Sequence, residues 1–445
     1  MDSIAALEAD LLRRFQERTP KSAALYQRAV RVMPGGDTRT GTFQLPYPLF
    51  VSKGQGARIW DADGNEYRDF LNNFTSLLHG HANRTVHEAL VAQAAQGTVH
   101  GSANELQVEL AELLCGRVPS VERLRFCNSG TEATLFALRA AKAFTGRSKI
   151  MKMEGGYHGS HDQVAVGMAP PYDTNATLGL SPGALSEVVL GSFNDLDYTA
   201  ELIRRHKHEL AAVIVEPVMG SAGGIPADPA FLRGLRQVTE QCGVLLILDE
   251  IITFRLGFGG CQEHFGIRPD LTTFGKIIGG GLPVGAFGGR ADIMAGYDPT
   301  GARPIVHSGT YNGNAVTMAA GLATLKLFDR DAVTLLNKTG DDLRRRLNQT
   351  IAEAGLDATV VGFGSVMQLH FLKPPLRNAR DGARGDKRLL RLTHLSLLVE
   401  GLFTAGRQMY VLSTALTTAD LDEFQARFAG ALEAIGQATR EPAGR

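Results

Sequence analysis

The chain has 445 residues, of which 44% are hydrophobic, and its 46 basic and 46 acidic side chains give a formal net charge of zero. This length allows two domains with a large core, and the charge balance argues against nucleic acid as the main partner. The 4 cysteines are scattered without CxxC spacing, so neither a zinc site nor a disulfide framework is indicated, and we expect a reducing cytoplasm. No apolar run approaches the roughly 20 residues that span a bilayer, so we expect no membrane association.

The N-terminal part of the chain predicts helix followed by a small sheet. Residues 1–31 have helical periodicity, which ends at the breaker Met33-Pro34-Gly35-Gly36. Residues 50–70 predict a three-stranded meander, and its second turn contains Asp63-Gly64, a strong hairpin signal.

The middle of the chain alternates short apolar strands with helices. The predicted strands are LRFCNS, KIMKM, AAVIVEP, GVLLILDE and LTTFG. Such alternation predicts a largely parallel sheet covered on both faces, with ligands at the carboxyl ends of its strands. Beyond residue 312, helices and strands predict a smaller α+β domain. Within it, residues 373–388 are polar and rich in Gly and Pro, and we expect a mobile surface loop there.

One lysine stands in an unusual setting. Lys276 lies in TTFGKIIGGGLPVGAFGG, residues 272–289, between apolar side chains and glycines. A poorly solvated lysine loses proton affinity and becomes a usable amine nucleophile. The alternative is an ordinary lysine beside a flexible turn, and this segment alone does not decide between the two.

Two loops at predicted strand ends could hold a planar phosphorylated ligand. Ser129, Gly130 and Thr131 follow the strand LRFCNS and begin a helix, where free N–H groups and the helix dipole favour phosphate. The alternative for this turn is a simple helix N-cap. Tyr157, in Gly-Gly-Tyr-His-Gly after KIMKM, could stack on a planar ring, or could be a half-buried tyrosine in a surface loop.

Carboxylates close two of the apolar strands. Asp249 ends GVLLILDE, where an unpaired charge is costly, so it could hold a proton on a heteroaromatic nitrogen. Glu216 ends AAVIVEP on the same predicted sheet edge, and its alternative is a purely structural role. The turn with Thr310, Ser-Gly-Thr-Tyr, could contact phosphate or cap the helix that follows it.

Together these motifs resemble the class III, fold type I, pyridoxal-phosphate aminotransferases. The matching segments are NSGTEA, GGYHG, VEP, LDE and FGKIIGGGLPVGAFGG. The resemblance covers the chain from MPGG to the C-terminal domain and implies an α/β fold with a mostly parallel seven-stranded sheet in a large domain. The implied division is 1–72, an N-terminal helix and meander, 73–326, the cofactor domain, and 327–445, a small α+β domain.

The resemblance also assigns roles to the residues. Lys276 would be catalytic, binding the cofactor covalently and moving protons, and Asp249 would keep the ring nitrogen protonated. The remaining implied contacts are Ser129, Gly130 and Thr131 to the phosphate, Tyr157 and Ile251 on the two ring faces, and Glu216 near the cofactor. In this family the threonine matching Thr310 reaches the phosphate of the partner subunit, so a homodimer is expected.

Substrate choice depends on two arginines. Arg39 in MPGGDTRTGTF and Arg407 in FTAGRQMYVLS match positions at which aromatic β-amino acid aminotransferases of the family bind carboxylates. We therefore expect amino transfer from a β-phenylalanine-like β-amino acid to 2-oxoglutarate or another 2-oxoacid. The alternative for Arg39 and Arg407 is that both are ordinary surface arginines. The alternative functions are a glutamate-1-semialdehyde aminomutase, which needs no oxoacid acceptor, and a cofactor-binding protein without turnover.

Overall fold

The computed structural model describes residues 3–172 and 177–440. They divide into two compact units, which we call the first and second unit. The first unit comprises Met1–Asn83, Lys338–Pro375 and Arg384–Arg445, and the second comprises Arg84–Asn337 and Leu376–Ala383. The domain limits expected from the sequence stay a prediction.

The first unit begins with two helices, a small sheet and a single helical turn. The elements are α1 (Ser3–Arg18), α2 (Pro20–Ala29), β1 (Val51–Gln55), β2 (Arg58–Asp61), β3 (Glu66–Asp69) and α3 (Asn72–Thr75). The helical region predicted over residues 1–31 is split because Pro20 lacks an N–H and starts a new helix. The predicted meander is present, and β1, β2 and β3 pair antiparallel in chain order.

The second unit contains the alternating helices and strands. Its elements are α4 (Arg84–Ala94), α5 (Glu105–Arg117), β4 (Arg123–Cys127), α6 (Gly130–Thr145), β5 (Lys149–Met153), α7 (Asp162–Ala165), α8 (Pro182–Ser186), β6 (Val188–Gly191), α9 (Leu196–His206), β7 (Leu210–Val215), β8 (Val218–Met219), β9 (Ile225–Pro226), α10 (Pro229–Gln241), β10 (Leu245–Asp249), α11 (Cys261–Phe265), β11 (Leu271–Gly275), β12 (Gly285–Gly289), α12 (Ala291–Met294) and α13 (Ala315–Leu327).

Seven of these strands form one sheet in the order β4-β12-β11-β10-β7-β5-β6. Only β12 runs antiparallel to its neighbours, so the predicted mostly parallel sheet is confirmed. The small residues of α6, Ala133 and Ala137 among them, pack against Ile214 and Ile247 of the central strands. This close fit of helix on sheet fixes the start of α6 at the carboxyl end of β4.

The C-terminal part completes both units. It contains α14 (Arg330–Ala354), β13 (Thr359–Phe363), β14 (Val366–His370), α15 (Ala379–Ala383), α16 (Lys387–Val399), β15 (Leu402–Phe403), β16 (Met409–Val411) and α17 (Thr418–Arg440). In the first unit β15 adds to the meander beside β3, while β13, β14 and β16 form a separate sheet. A core of Phe15, Tyr67 and Leu398 joins α1, the meander and α16.

The expectation of a mobile loop over residues 373–388 is wrong for its central part. The helix α15 lies there and belongs to the second unit. Arg380 pairs with Glu154 through two nitrogens at 2.7 and 2.8 Å, and Ala379 is buried. These contacts hold a segment whose composition alone indicated a loop. Within the described ranges, we find no helix with the length and apolar character needed to cross a membrane.

Candidate active site

The predicted lysine and phosphate turn lie on either side of β12. Gly285, the first residue of β12, pairs with Gly275 on β11 and with Cys127 on β4. A Cβ atom on Gly285 would stand 2.1 Å from the carbonyl oxygen of Ser129, so only glycine allows this approach. Lys276 follows directly after β11, and it is therefore brought close to the turn that begins α6.

Lys276 itself has an unusual backbone conformation. It is half-buried, with φ of 51°, in the left-handed region that side chains other than glycine rarely adopt. It begins a short 3₁₀ turn whose next two residues, Ile277 and Ile278, are buried. A strained, half-buried lysine at the carboxyl end of a central strand is the kind of outlier that marks a functional site.

Ser129 caps α6, as one of the two sequence interpretations proposed. Its hydroxyl accepts a hydrogen bond from the Glu132 N–H at 3.1 Å, and the Glu132 carboxylate accepts one from the Asn128 N–H at 2.7 Å. Capping does not exclude phosphate binding, because one hydroxyl proton remains and the first N–H groups of a helix have no intrahelical partner. Gly130 and Thr131 contribute those groups here.

Ile251 connects three of the predicted elements. Its N–H donates to Asp249 Oδ1 at 3.1 Å. A Cβ atom on Gly130 would lie 2.8 Å from Ile251 Cδ1, and one on Gly275 would lie 3.3 Å from Ile251 Cγ2. The phosphate turn and the residue before Lys276 therefore lie against the Ile251 side chain, while the strand-end aspartate holds the Ile251 backbone.

Asp249 is paired with His158, a partner that the sequence analysis did not assign. His158 Nδ1 lies 2.7 Å from Asp249 Oδ2, and both residues are almost fully buried. The Thr273 hydroxyl donates to the other oxygen, Oδ1, at 3.0 Å. Part of the signal was available, because a carboxylate ending an apolar strand requires a partner, but no local pattern pairs Asp249 with a histidine so far away along the chain.

Glu216 lies beneath the loop that carries Tyr157. Its two carboxylate oxygens accept the N–H groups of Tyr157 and Gly220, each at 3.1 Å. Burial raises the pKa of Glu216, and the neighbouring charge of Asp249 adds to this effect while His158 opposes it. The structure thus shows Glu216 as the anchor of the loop, while the Tyr157 ring is 41% exposed.

Thr310 lies in an exposed turn before α13. The interpretation of this turn as the cap of α13 is wrong, because Asn314 caps the helix by accepting from Thr317 N at 3.0 Å. Asn312 accepts from the Asn128 side-chain amide at 2.8 Å, which connects the Thr310 turn to the residue before Ser129.

Arg39 and Arg407 belong to the first unit, whereas every other predicted site residue belongs to the second. Arg39 Nη1 donates to Asn73 Oδ1 at 2.8 Å, and the Arg407 guanidinium lies 5.3 Å from the ring centroid of Phe74. The two arginines therefore contact adjacent residues of α3.

The comparison with known proteins decides the family. The model of the aminotransferase class-III family matches residues 42–430. The chain belongs to the class III aminotransferases. Members of this family are transaminases that depend on pyridoxal phosphate, and the same cofactor serves this aminotransferase.

The relatives of the aminotransferase include a β-phenylalanine transaminase and several glutamate-1-semialdehyde aminomutases. The chain is 43% identical to a β-phenylalanine transaminase of Variovorax paradoxus over 422 residues, 94% of either protein. It is 41% identical to a glutamate-1-semialdehyde 2,1-aminomutase of Geobacillus kaustophilus over 414 residues, 90% of this chain and 95% of the relative. The crystal structure of an ω-transaminase from Sphaerobacter thermophilus matches with a TM-score of 0.90 at 42% identity, covering 93% of this chain and 98% of the other.

The residues of the aminotransferase fit pyridoxal phosphate. Gly130 begins α6, and a Cβ atom added to it would clash with the Ile251 side chain. Because glycine stands there, the backbone N–H groups at this helix N-terminus stay open to a phosphate. Asp249 offers a buried carboxylate suited to a ring nitrogen, and Lys276 offers an amine near the same phosphate turn. These residues would therefore hold the phosphate, the ring nitrogen and the aldehyde of the cofactor.

A second buried lysine of the aminotransferase produces a testable pH effect. Lys152 on β5 is fully buried and donates to the Val166 carbonyl oxygen at 2.8 Å. Burial lowers the pKa of Lys152 from 10.5 to about 7, partly opposed by the charge of Glu216. Between these two pH values the unfolded chain binds a proton that the folded chain lacks, so this group's contribution to stability rises with pH.

We therefore predict that Lys152→Met raises the melting temperature most near pH 6 to 7, with a gain that shrinks towards pH 9.5. The measurement is a series of thermal unfolding curves over this range. Lys149→Met is the matched control, because Lys149 lies on the same strand and pairs at the surface with Glu209 at 2.8 Å. If the gain in melting temperature for Lys152→Met is equal at every pH, burial does not lower the pKa of Lys152.

Proposed function

We propose that the aminotransferase moves the amino group of an aromatic β-amino acid, such as β-phenylalanine, to 2-oxoglutarate or another 2-oxoacid. The donor loses its amine and becomes a 3-oxo acid, while the acceptor becomes the corresponding 2-amino acid, so nitrogen and electrons balance between the two. The β-phenylalanine transaminase of V. paradoxus, 43% identical, supports this choice of donor.

The observation that carries the proposal is that two arginines of the first unit, Arg39 and Arg407, contact adjacent residues of the turn α3. A β-amino acid and 2-oxoglutarate present carboxylates at different positions, and guanidinium groups bind carboxylates through two parallel hydrogen bonds. Arg39 lines a cavity of about 370 Å³ that also has apolar walls, including Leu49, Phe50 and Phe403. A cation beside apolar side chains suits a substrate with one carboxylate and an aromatic ring.

The roles proposed for the second unit follow from its contacts. Pyridoxal phosphate, when bound, supplies an aldehyde and an electron-accepting ring. Lys276 holds the cofactor and carries protons to and from the substrate carbon, and Asp249, oriented by His158, keeps the ring nitrogen protonated. The remaining proposed contacts are Ser129, Gly130 and Thr131 with the phosphate, Tyr157 and Ile251 with the ring faces, and Glu216 with the Tyr157 loop.

We also propose a homodimer in which Thr310 reaches the phosphate in the partner subunit. The turn around Thr310 is exposed in the single chain, as are the apolar side chains of Val306 and Tyr311, at 77% and 59%. Apolar groups exposed beside a polar turn are suited to burial by a second copy. Light scattering of the purified enzyme gives its molecular mass and so tests whether it is a dimer.

Purified enzyme with β-phenylalanine and 2-oxoglutarate is expected to form glutamate. Arg39→Ala and Arg407→Ala are each expected to raise the KM of a carboxylate substrate by about 10- to 100-fold, since a charged hydrogen-bond pair contributes about 1.5–3 kcal/mol. Measuring donor and acceptor KM separately shows which carboxylate each arginine binds. Arg31→Ala, an exposed arginine of the same unit, is the control.

The second candidate is a glutamate-1-semialdehyde aminomutase, which the 41% identical relative from G. kaustophilus favours. An aminomutase returns the amino group to the same molecule, so it forms 5-aminolevulinate without any 2-oxoacid. Such activity, persisting in Arg407→Ala, together with no glutamate from a panel of β-amino acids, would replace the first proposal by the second.

A further inference from the structure

The single turn α3 has a conformation that proteins seldom use. Its four residues, Asn72 to Thr75, have φ values of 49, 46, 53 and 78°, and none is glycine. Left-handed conformations are disfavoured for side chains with a Cβ atom and normally occur singly. Four in succession persist only where the surrounding contacts fix them, and such strain commonly accompanies function.

Buried polar contacts hold the start of this turn. Asp69 Oδ1 accepts the N–H groups of Leu71 and Asn72 at 2.7 and 2.8 Å, and Asp69 Oδ2 lies 2.7 Å from His81 Nε2. The Asn72 amide donates to the Val411 carbonyl oxygen at 2.8 Å. Asp69 and Asn72 are buried, so the turn is anchored at its first residue within the core of the first unit.

The next two residues of the turn contact the two arginines. The Asn73 side chain donates to Ser76 Oγ at 2.9 Å, which orients its amide so that Oδ1 accepts from Arg39 at 2.8 Å. Phe74 presents its ring to the Arg407 guanidinium at 5.3 Å. Asn73 is exposed, so its side chain is not needed to fill the core.

Both of these contacts orient a cation without neutralising it. An amide oxygen and an aromatic face attract a guanidinium but carry no net charge, so neither of these two contacts itself neutralises the cation. The nearby Asp37 carboxylate accepts the Thr38 N–H at 2.6 Å and the Thr42 hydroxyl, and its charge also attracts Arg39, so Asp37 contributes to holding this arginine. Elsewhere in this unit, Arg68 is paired with the carboxylate of Asp420 at 2.9 Å, which is the usual structural arrangement.

We propose that the left-handed turn Asn72–Thr75 is a positioning device for substrate carboxylates, in which Asn73 orients Arg39 and Phe74 orients Arg407. The inference rests on the proposed function, because it takes both arginines as carboxylate ligands. It adds that substrate affinity depends on Asn73, which does not line the Arg39 cavity, and on Phe74, which lines it and also faces Arg407.

Asn73→Gly separates positioning from folding. Glycine suits the φ of 46° and removes only an exposed side chain, so thermal stability is expected to stay the same or rise. The KM of the substrate bound by Arg39 is expected to rise about tenfold with kcat nearly unchanged, as for loss of one hydrogen bond to a charged group. Ala82→Gly, at φ of 49° in the same unit, relieves the same kind of strain and is expected to leave KM unchanged.

A double-mutant cycle provides the decisive readout. In an Arg39→Ala background, Asn73→Gly is expected to have no further effect on KM, because its effect acts through Arg39. Phe74→Leu is likewise expected to raise KM about threefold, and only while Arg407 is present. An unchanged KM in Asn73→Gly, or an equal rise with and without Arg39, would overturn the inference.

Failure of the proposed function has a different signature. If wild-type enzyme forms no glutamate from β-amino acids but converts glutamate semialdehyde to 5-aminolevulinate, the function is wrong. The same cycle is then measured on the KM of glutamate semialdehyde, which also carries a carboxylate. If Asn73→Gly and Arg39→Ala change that KM independently of each other, Asn73 does not position Arg39 and the inference is wrong as well.

Discussion

Lys276→Ala is expected to lower the rate of amino transfer by about 10⁴-fold or more, the largest loss from any single substitution in this chain. The reason is that one amine performs two tasks, covalent attachment of the cofactor and proton transfer, and positioned proton transfer alone contributes about 10²–10⁴-fold. The measurement is glutamate formation from β-phenylalanine at saturating 2-oxoglutarate, with added cofactor to separate lost binding from lost chemistry.

Covalent labelling tests the same lysine without turnover. Borohydride reduction of the wild-type enzyme with its cofactor, followed by peptide mapping, should place a pyridoxyl group on Lys276 and on no peptide of the variant. Lys338→Ala is the control, because that side chain is 71% exposed and pairs with Asp342 at the surface. A label on another lysine, Lys152 included, would move the catalytic role away from Lys276.

Asp249→Asn is expected to lower kcat/KM by about 10²- to 10³-fold. Removing one charge from a buried pair costs about 3–5 kcal/mol, and each 1.36 kcal/mol is a factor of ten in rate. The loss arises because Asn keeps the shape but offers no negative charge to a protonated ring nitrogen or to His158, which lies 2.7 Å from the carboxylate. Steady-state kinetics and the melting temperature are measured together.

Thr273→Val is the matched control for this aspartate. It removes the hydrogen bond to Asp249 Oδ1 at 3.0 Å but leaves the charge, so a loss of tenfold or less is expected. If both variants lose activity equally, hydrogen bonding around the aspartate, and not its charge, would be the important property.

The sequence predicted the strands that are apolar throughout but missed one of the central ones. β10 has the continuous apolar pattern of a strand buried on both faces, although it is shorter at each end than the predicted GVLLILDE, and β11 has the same bounds as the predicted LTTFG. β12 is GAFGG, and glycine normally lowers the expectation of a strand. Its glycines are required by contacts with β4 and β11, which no local pattern reveals.

The candidate site was predicted in its motifs but not in its pairings. The sequence showed that Asp249 needs a partner, yet it could not show that His158, far away along the chain, supplies it. The left-handed turn Asn72–Thr75 was not predicted either. Asparagine tolerates positive φ, but Phe74 and Thr75 adopt it only because Asp69 and Val411 fix the turn from outside.

The glycine strand β12 limits how this enzyme can be altered. A methyl group at Gly285 would meet Ser129 at 2.1 Å, and one at Gly289 would meet the Asp270 carbonyl oxygen at 2.1 Å, so every substitution in these places would push neighbouring strands apart. Libraries made to broaden the substrate range should therefore leave residues 285–289 unchanged. Diversity is better directed to the walls of the Arg39 cavity, where side chains such as Phe43 are exposed and can change size without displacing backbone.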